Sequence, residues 1–156
     1  MSKVFDFKKQ LEFGQQAERD FMEFYHEPIV LATTFAYDFK VVESGNKLEL
    51  KTDDYCHTKT PNFFFERWSD YHKKKPGGPW QSRKKRADIF CYYFARNNIY
   101  YQFDNIKLLC KELDTYIKDN KLGFVMVRNK GWITAGYKIP REEMSHLYEI
   151  YEIGED

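Results

Sequence analysis

Apolar residues recur at helical spacing near the start of the chain. Phe7, Leu11, Phe21 and Tyr25, flanked by Ala17 and Phe24, predict an amphipathic helix over residues 7–26, with Glu18 on the same stripe. Pro28 ends that helix, and residues 29–34, apolar and β-branched, predict a short buried strand. Residues 37–42 and 47–52 alternate around Ser44-Gly45-Asn46, the pattern of a hairpin. Two more strands are predicted over residues 89–94 and 100–103, joined across Asn97-Asn98. Asp104 is placed to cap a helix whose Ile106, Leu109, Leu113 and Ile117 form one stripe. Residues 124–127 and 132–139 predict a hairpin around Asn129-Lys130-Gly131, and Pro140 opens a closing helix. Residues 53–86 hold Pro61, Pro76, Gly77, Gly78 and Pro79, have the least regular pattern, and predict a long functional loop. No repeat or linker divides the chain, so this order of elements predicts one mixed α/β (α+β) domain over residues 1–156.

Composition adds a core and removes several classes. Aromatic residues make up 19% of the chain, with 14 Phe and 12 Tyr, which supplies a packed interior and excludes a disordered chain. Cys56, Cys91 and Cys110 are odd in number and lack CxxC spacing, against a disulfide framework or a structural zinc site. The residues after Met1 show no secretory apolar core, and no run of about 20 apolar residues occurs. The expectation is a cytoplasmic protein, host cytoplasm if viral, with no membrane partner. The net charge of +1 hides a dipolar layout. Lys73, Lys74 and Lys75, then Arg83, Lys84, Lys85 and Arg86, face an acidic C-terminus of Glu142, Glu143, Glu149, Glu152, Glu155 and Asp156. Such concentrated cations suit a polyanion, because neutralising phosphates releases counterions; a solvated basic loop is the plainer alternative.

The hairpin carries the candidate chemistry. Side chains alternate along a strand, which puts Glu49 and Lys51 on one face and Leu48 and Leu50 on the other. A Gly45-Asn46 turn sets Asp38 opposite Asp53, and a Ser44-Gly45 turn sets it opposite Lys51. Both registers keep Asp38 on the face of Glu49 and Lys51, although the Gly45-Asn46 turn leaves the two carboxylates far apart unless a bulge or twist closes the gap. Two converging carboxylates suit Mg²⁺ or Mn²⁺, hard cations that keep waters for phosphate oxygens, and a neighbouring lysine can orient the attacking water. The alternative is an exposed ladder of cross-strand ion pairs, contributing about 0.2–1 kcal/mol per pair.

Asp38 followed by Glu49-Leu50-Lys51-Thr52-Asp53, behind a helix carrying Glu18, resembles the PD-(D/E)XK, or restriction-endonuclease-like, nuclease superfamily, and in particular its short, often phage-encoded members. Asn62, Phe65-Glu66, Pro76-Gly77-Gly78 and Ala87-Asp88 before Phe90-Cys91-Tyr92-Tyr93 continue the likeness, which spans residues 14–94. Tyr37 stands where the family has a leading Pro. The resemblance implies a central mixed sheet flanked by helices and Mg²⁺- or Mn²⁺-dependent cleavage of DNA, as an endonuclease of viral or mobile-element type. It implies Asp38, Glu49 and the Leu50 carbonyl as metal ligands, Lys51 as the catalytic lysine and Glu18 as an accessory acid. Many junction-cleaving members are homodimers. The competing reading is a non-catalytic nucleic-acid-binding or host-interaction protein on the same scaffold.

Overall fold

A computed structural model describes residues 7–34 and 36–152; Glu155 and Asp156 of the acidic C-terminus lie outside them. The chain runs α1 (Phe7–Phe24), β1 (Ile29–Leu31), β2 (Phe39–Val41), β3 (Lys47–Asp53), β4 (Asn62–Asp70), β5 (Lys75–Pro76) and α2 (Gly78–Lys84). It continues through β6 (Ile89–Phe94), β7 (Ile99–Phe103), α3 (Ile106–Asp119), β8 (Val125–Arg128), β9 (Ile133–Pro140) and β10 (Tyr148–Glu152). The strands form two sheets, ordered β1-β2-β3-β6-β7-β10 and β5-β4-β9-β8. The result is the mixed α+β architecture that the element order predicts, with a second sheet that it does not.

Within the larger sheet β3 and β6 are parallel, while the other neighbours are antiparallel. A parallel pair needs a long crossover, and residues 54–88 are that crossover. The expected long loop is therefore largely regular structure: it contains the nine-residue β4, the short β5 and the helix α2. All six residues of β6 are buried, as a strand covered on both faces requires. Phe90, Tyr92 and Phe94 face a cluster with Phe63, Phe65, Phe103, Leu109 and Leu113, which joins the two sheets and α3. Ile89, Cys91 and Tyr93 face the opposite cluster, with Phe21 of α1 and Phe39 and Leu48 of the hairpin. Each fully buried phenylalanine in these clusters contributes about 1.5–3 kcal/mol by leaving water.

Several expectations are corrected. The strand at residues 29–34 is short and lies at the sheet edge, with Ile29 buried but Val30 and Leu31 exposed, because β2 covers only one side of it. Asn105, not Asp104, caps α3, its side chain accepting from the Leu108 N–H at 3.0 Å. Asp104 is drawn instead to the Gln102 amide at 2.7 Å. The segment after Pro140 is a 3-10 turn over Arg141–Leu147 followed by β10, which pairs with β7. Tyr148 supplies a reason, since it packs edge-on against Tyr101 and Phe103 of the sheet. Among the described residues no helix is long and apolar enough to cross a membrane.

Candidate functional site

Phe39 pairs with Leu48 and Lys40 with Lys47, and the Val41 N–H donates to Asn46 O at 2.9 Å. Residues 42–45 therefore form a four-residue loop, with Gly45 at φ +75° supplying the left-handed residue that closes it. Neither two-residue turn expected from the sequence forms. The register moves by a further pair: the ladder ends with Phe39 opposite Leu48, so neither Lys51 nor Asp53 stands opposite Asp38. The Asp38 N–H donates to Leu48 O at 3.0 Å, and Asp38 Oδ2 accepts the Leu50 N–H at 2.8 Å. The carboxylate thus takes a ladder position as β2 runs out. A strand residue's N–H and C=O leave on the same side, so the Leu50 carbonyl opens toward Asp38 rather than toward β6.

Two like charges in one corner with little water perturb each other. Burial, and then the Asp38 charge, push the Glu49 carboxyl up to about 7, with Lys85 pulling the other way. Burial also raises Asp38, opposed by the Leu50 N–H and by Lys85. Glu18 lies on the exposed flank of α1 and is raised by its partial burial and by Asp38. α1 packs on the sheet face that carries Phe39 and Leu48, and Glu18 stands on this helix. Among the described residues no three His, Cys, Asp or Glu side chains are grouped to hold a metal ion. The donor set at this corner is two carboxylates and one carbonyl.

Lys51 points out of β3 toward the second sheet, where its Nζ meets Glu66 Oε1 of β4 at 3.3 Å. The two close a cleft of about 160 Å³ that Glu49, Phe64, Gln81 and Phe90 also line. Among the described residues this hairpin forms no ladder of cross-strand ion pairs, since Lys40 faces Lys47 and the partner of Lys51 comes from another sheet. Like charges set directly across a strand pair, as Lys40 and Lys47 are, destabilise it. The approach of α2 to β4 depends on glycine: a Cβ on Gly78, at φ +49°, would lie 2.7 Å from Glu66 O, and one on Gly77 3.0 Å from Ser69 N.

No protein-family model, curated protein or solved structure matches this chain.

The structure brings Asp38, Glu49, Leu50 and Lys51 together and leaves Glu18 at their margin. The predicted cations scatter more widely. Lys73, Lys74 and Lys75 are exposed where β4 turns into β5, and Arg83 and Lys84 are exposed on the last turn of α2. Lys85 caps α2 and bears on both carboxylates, and Arg86 follows at φ +61°. Glu66 and Gln81 are the site residues that sequence pattern did not single out for a role. A signal for Glu66 exists, because Phe63 and Phe65 form the buried face of a strand and alternation then turns Phe64 and Glu66 the other way.

Proposed function

We propose that this protein is a metal-dependent nuclease that hydrolyses phosphodiester bonds in DNA, with Asp38, Glu49 and Lys51 at its centre. One observation carries the reading: the Asp38 carboxylate accepts the Leu50 N–H beside Glu49, burial raises both carboxyls and the Asp38 charge raises Glu49 further, and Lys51 shares a cleft with Glu49. Such a corner stores repulsion that a divalent cation relieves. Hard oxygen donors fit Mg²⁺ or Mn²⁺, and three of them suit an ion that keeps waters of its own. Asp38, Glu49 and the Leu50 carbonyl would hold it, and when bound it would polarise a phosphodiester and acidify a coordinated water.

The chain's own groups divide the remaining work. Asp38 is anchored by the Leu50 N–H, which fixes its carboxylate at the mouth of the site. Glu49 must be ionised to ligate, so metal affinity rises with pH through about 7. Glu66 holds the Lys51 ammonium in the cleft, where it can orient an attacking water or face a phosphate oxygen. Gln81 offers an amide to the same space.

The experiment is incubation of supercoiled, linear and branched DNA with Mg²⁺ or Mn²⁺, against a chelator. Metal-dependent cleavage is expected, falling by about 100-fold or more in Glu49→Gln and in Lys51→Ala, the scale of losing one group that acts on the transition state. Folded protein that cuts none of these substrates, or variants that cut as well as the parent, would overturn the assignment. Tight binding with no turnover would favour the non-catalytic alternative.

A further inference from the structure

Helix α2 stands between two concavities. Gly78 and Gln81 face the carboxylate cleft. Trp80, Arg83 and Lys84 face another way, into a groove of about 440 Å³ completed by Arg67, Trp68 and Lys74. Four cations from three stretches of chain therefore share one hollow, although only Lys74, Arg83 and Lys84 belong to basic runs in the sequence. Arg67 joins them because β4 shifts register between Glu66 and Trp68.

Aromatic rings hold two of these cations, Arg67 and Lys74, in place. The Arg67 guanidinium lies 4.1 Å from the centre of the Trp68 ring and 5.2 Å from that of Trp80. Lys74 Nζ lies 3.7 Å from the Tyr71 ring centre and 5.3 Å from that of Trp68. Trp80 is fixed in turn by its indole N–H, which donates to Asp114 of α3 at 3.0 Å. Cation–π contacts use the ring faces and leave N–H donors available for an anion. Among the described residues none of the four cations forms a salt bridge. Positive charges gathered in one hollow with no salt bridge of their own make an anion site, and the mixture of cations with rings is that of a nucleic-acid channel.

We propose that this groove is a nucleic-acid subsite that holds backbone phosphates of a strand whose continuation enters the carboxylate cleft. Its first part stands on the groove alone, and the continuation rests on the nuclease reading.

The test is fluorescence anisotropy in chelator, across a range of salt, with a labelled single-stranded oligonucleotide and with its duplex. The parent protein is expected to bind at least one of them with steep salt dependence. Lys74→Ala with Arg83→Ala, both at exposed positions, should weaken that binding at least about 10-fold and lower the salt slope by about one per cation removed. Lys59→Ala, at an exposed position outside the groove, should change little. Loss with only one of the two probes supports the proposal and identifies the form the groove takes. Unaltered binding in the folded double variant, an equal loss in Lys59→Ala, or no binding by the parent overturns it. Because no divalent ion is present, these outcomes do not depend on cleavage. A protein that binds through the groove yet never cuts loses the nuclease reading and the continuation, and keeps the subsite.

Discussion

Burial, and then the charge of Asp38, push Glu49 up to about 7 from its ordinary 4.5. A carboxyl raised on folding binds its proton more tightly in the folded state, so its contribution to stability is complete below about 4.5 and is lost as pH rises through about 7. Without divalent ions, Glu49→Gln should therefore melt above the parent at pH values beyond 7, and the gap should vanish toward 4.5. Thermal melts at several pH values measure this, and a gap independent of pH would contradict it. Adding Mg²⁺ should raise the melting temperature of the parent and leave the variant nearly unchanged, since only an intact ligand pair links binding to stability. Asp38, Glu49 and Lys51 were legible in the sequence as a candidate set, because side chains alternate along a strand. Their distances were not, because the length of a turn is decided by how the loop closes.

The crossover from β3 to β6 is the element that completes the site. It delivers Glu66 on β4 to Lys51 and places α2 with Gln81 beside both. Gly78 sets how near α2 can come, at a left-handed φ and with no room for a Cβ beside Glu66 O. Gly78→Ala should cost about 1–3 kcal/mol in urea unfolding, from backbone strain and overpacking. Gly123 provides the control: a Cβ there would meet nothing within 4 Å, its φ is not positive, and Gly123→Ala should be close to neutral. Equal effects at the two glycines would remove the packing argument. Residues 62–70 did not read as a strand because their alternation fades after Phe65 into half-buried residues, and their partner β9 lies some 70 positions further along.

At the scale of the whole molecule, one hydroxyl ties the two sheets together beside the site. Tyr92 of β6 donates to Asp53 of β3 and accepts the Phe64 N–H of β4 at 2.9 Å. Asp53 is itself buried and takes the Tyr55 N–H at 2.8 Å through its other oxygen. Tyr92→Phe leaves both partners with an unmade bond in a dry place and should lower stability by about 1–3 kcal/mol in urea unfolding. It should also loosen β4 against β3 and slow any metal-dependent cleavage, because Glu66 and Lys51 meet across that joint. Parent-like stability would show that the hydroxyl does not brace the sheets.

Local periodicity was enough to locate α1, the β2–β3 hairpin, β6, β7, α3 and the β8–β9 hairpin, since each carries its own alternation or helical stripe. It also placed Glu49 and Lys51 on one face of β3. The second sheet, the β2–β3 register, the Lys51–Glu66 contact and the gathering of Arg67 with Lys74 and Arg83 came only from tertiary structure. Each joins residues far apart in the chain or depends on loop closure, and neither pairing partner nor loop path is encoded in a short window of apolar and polar positions.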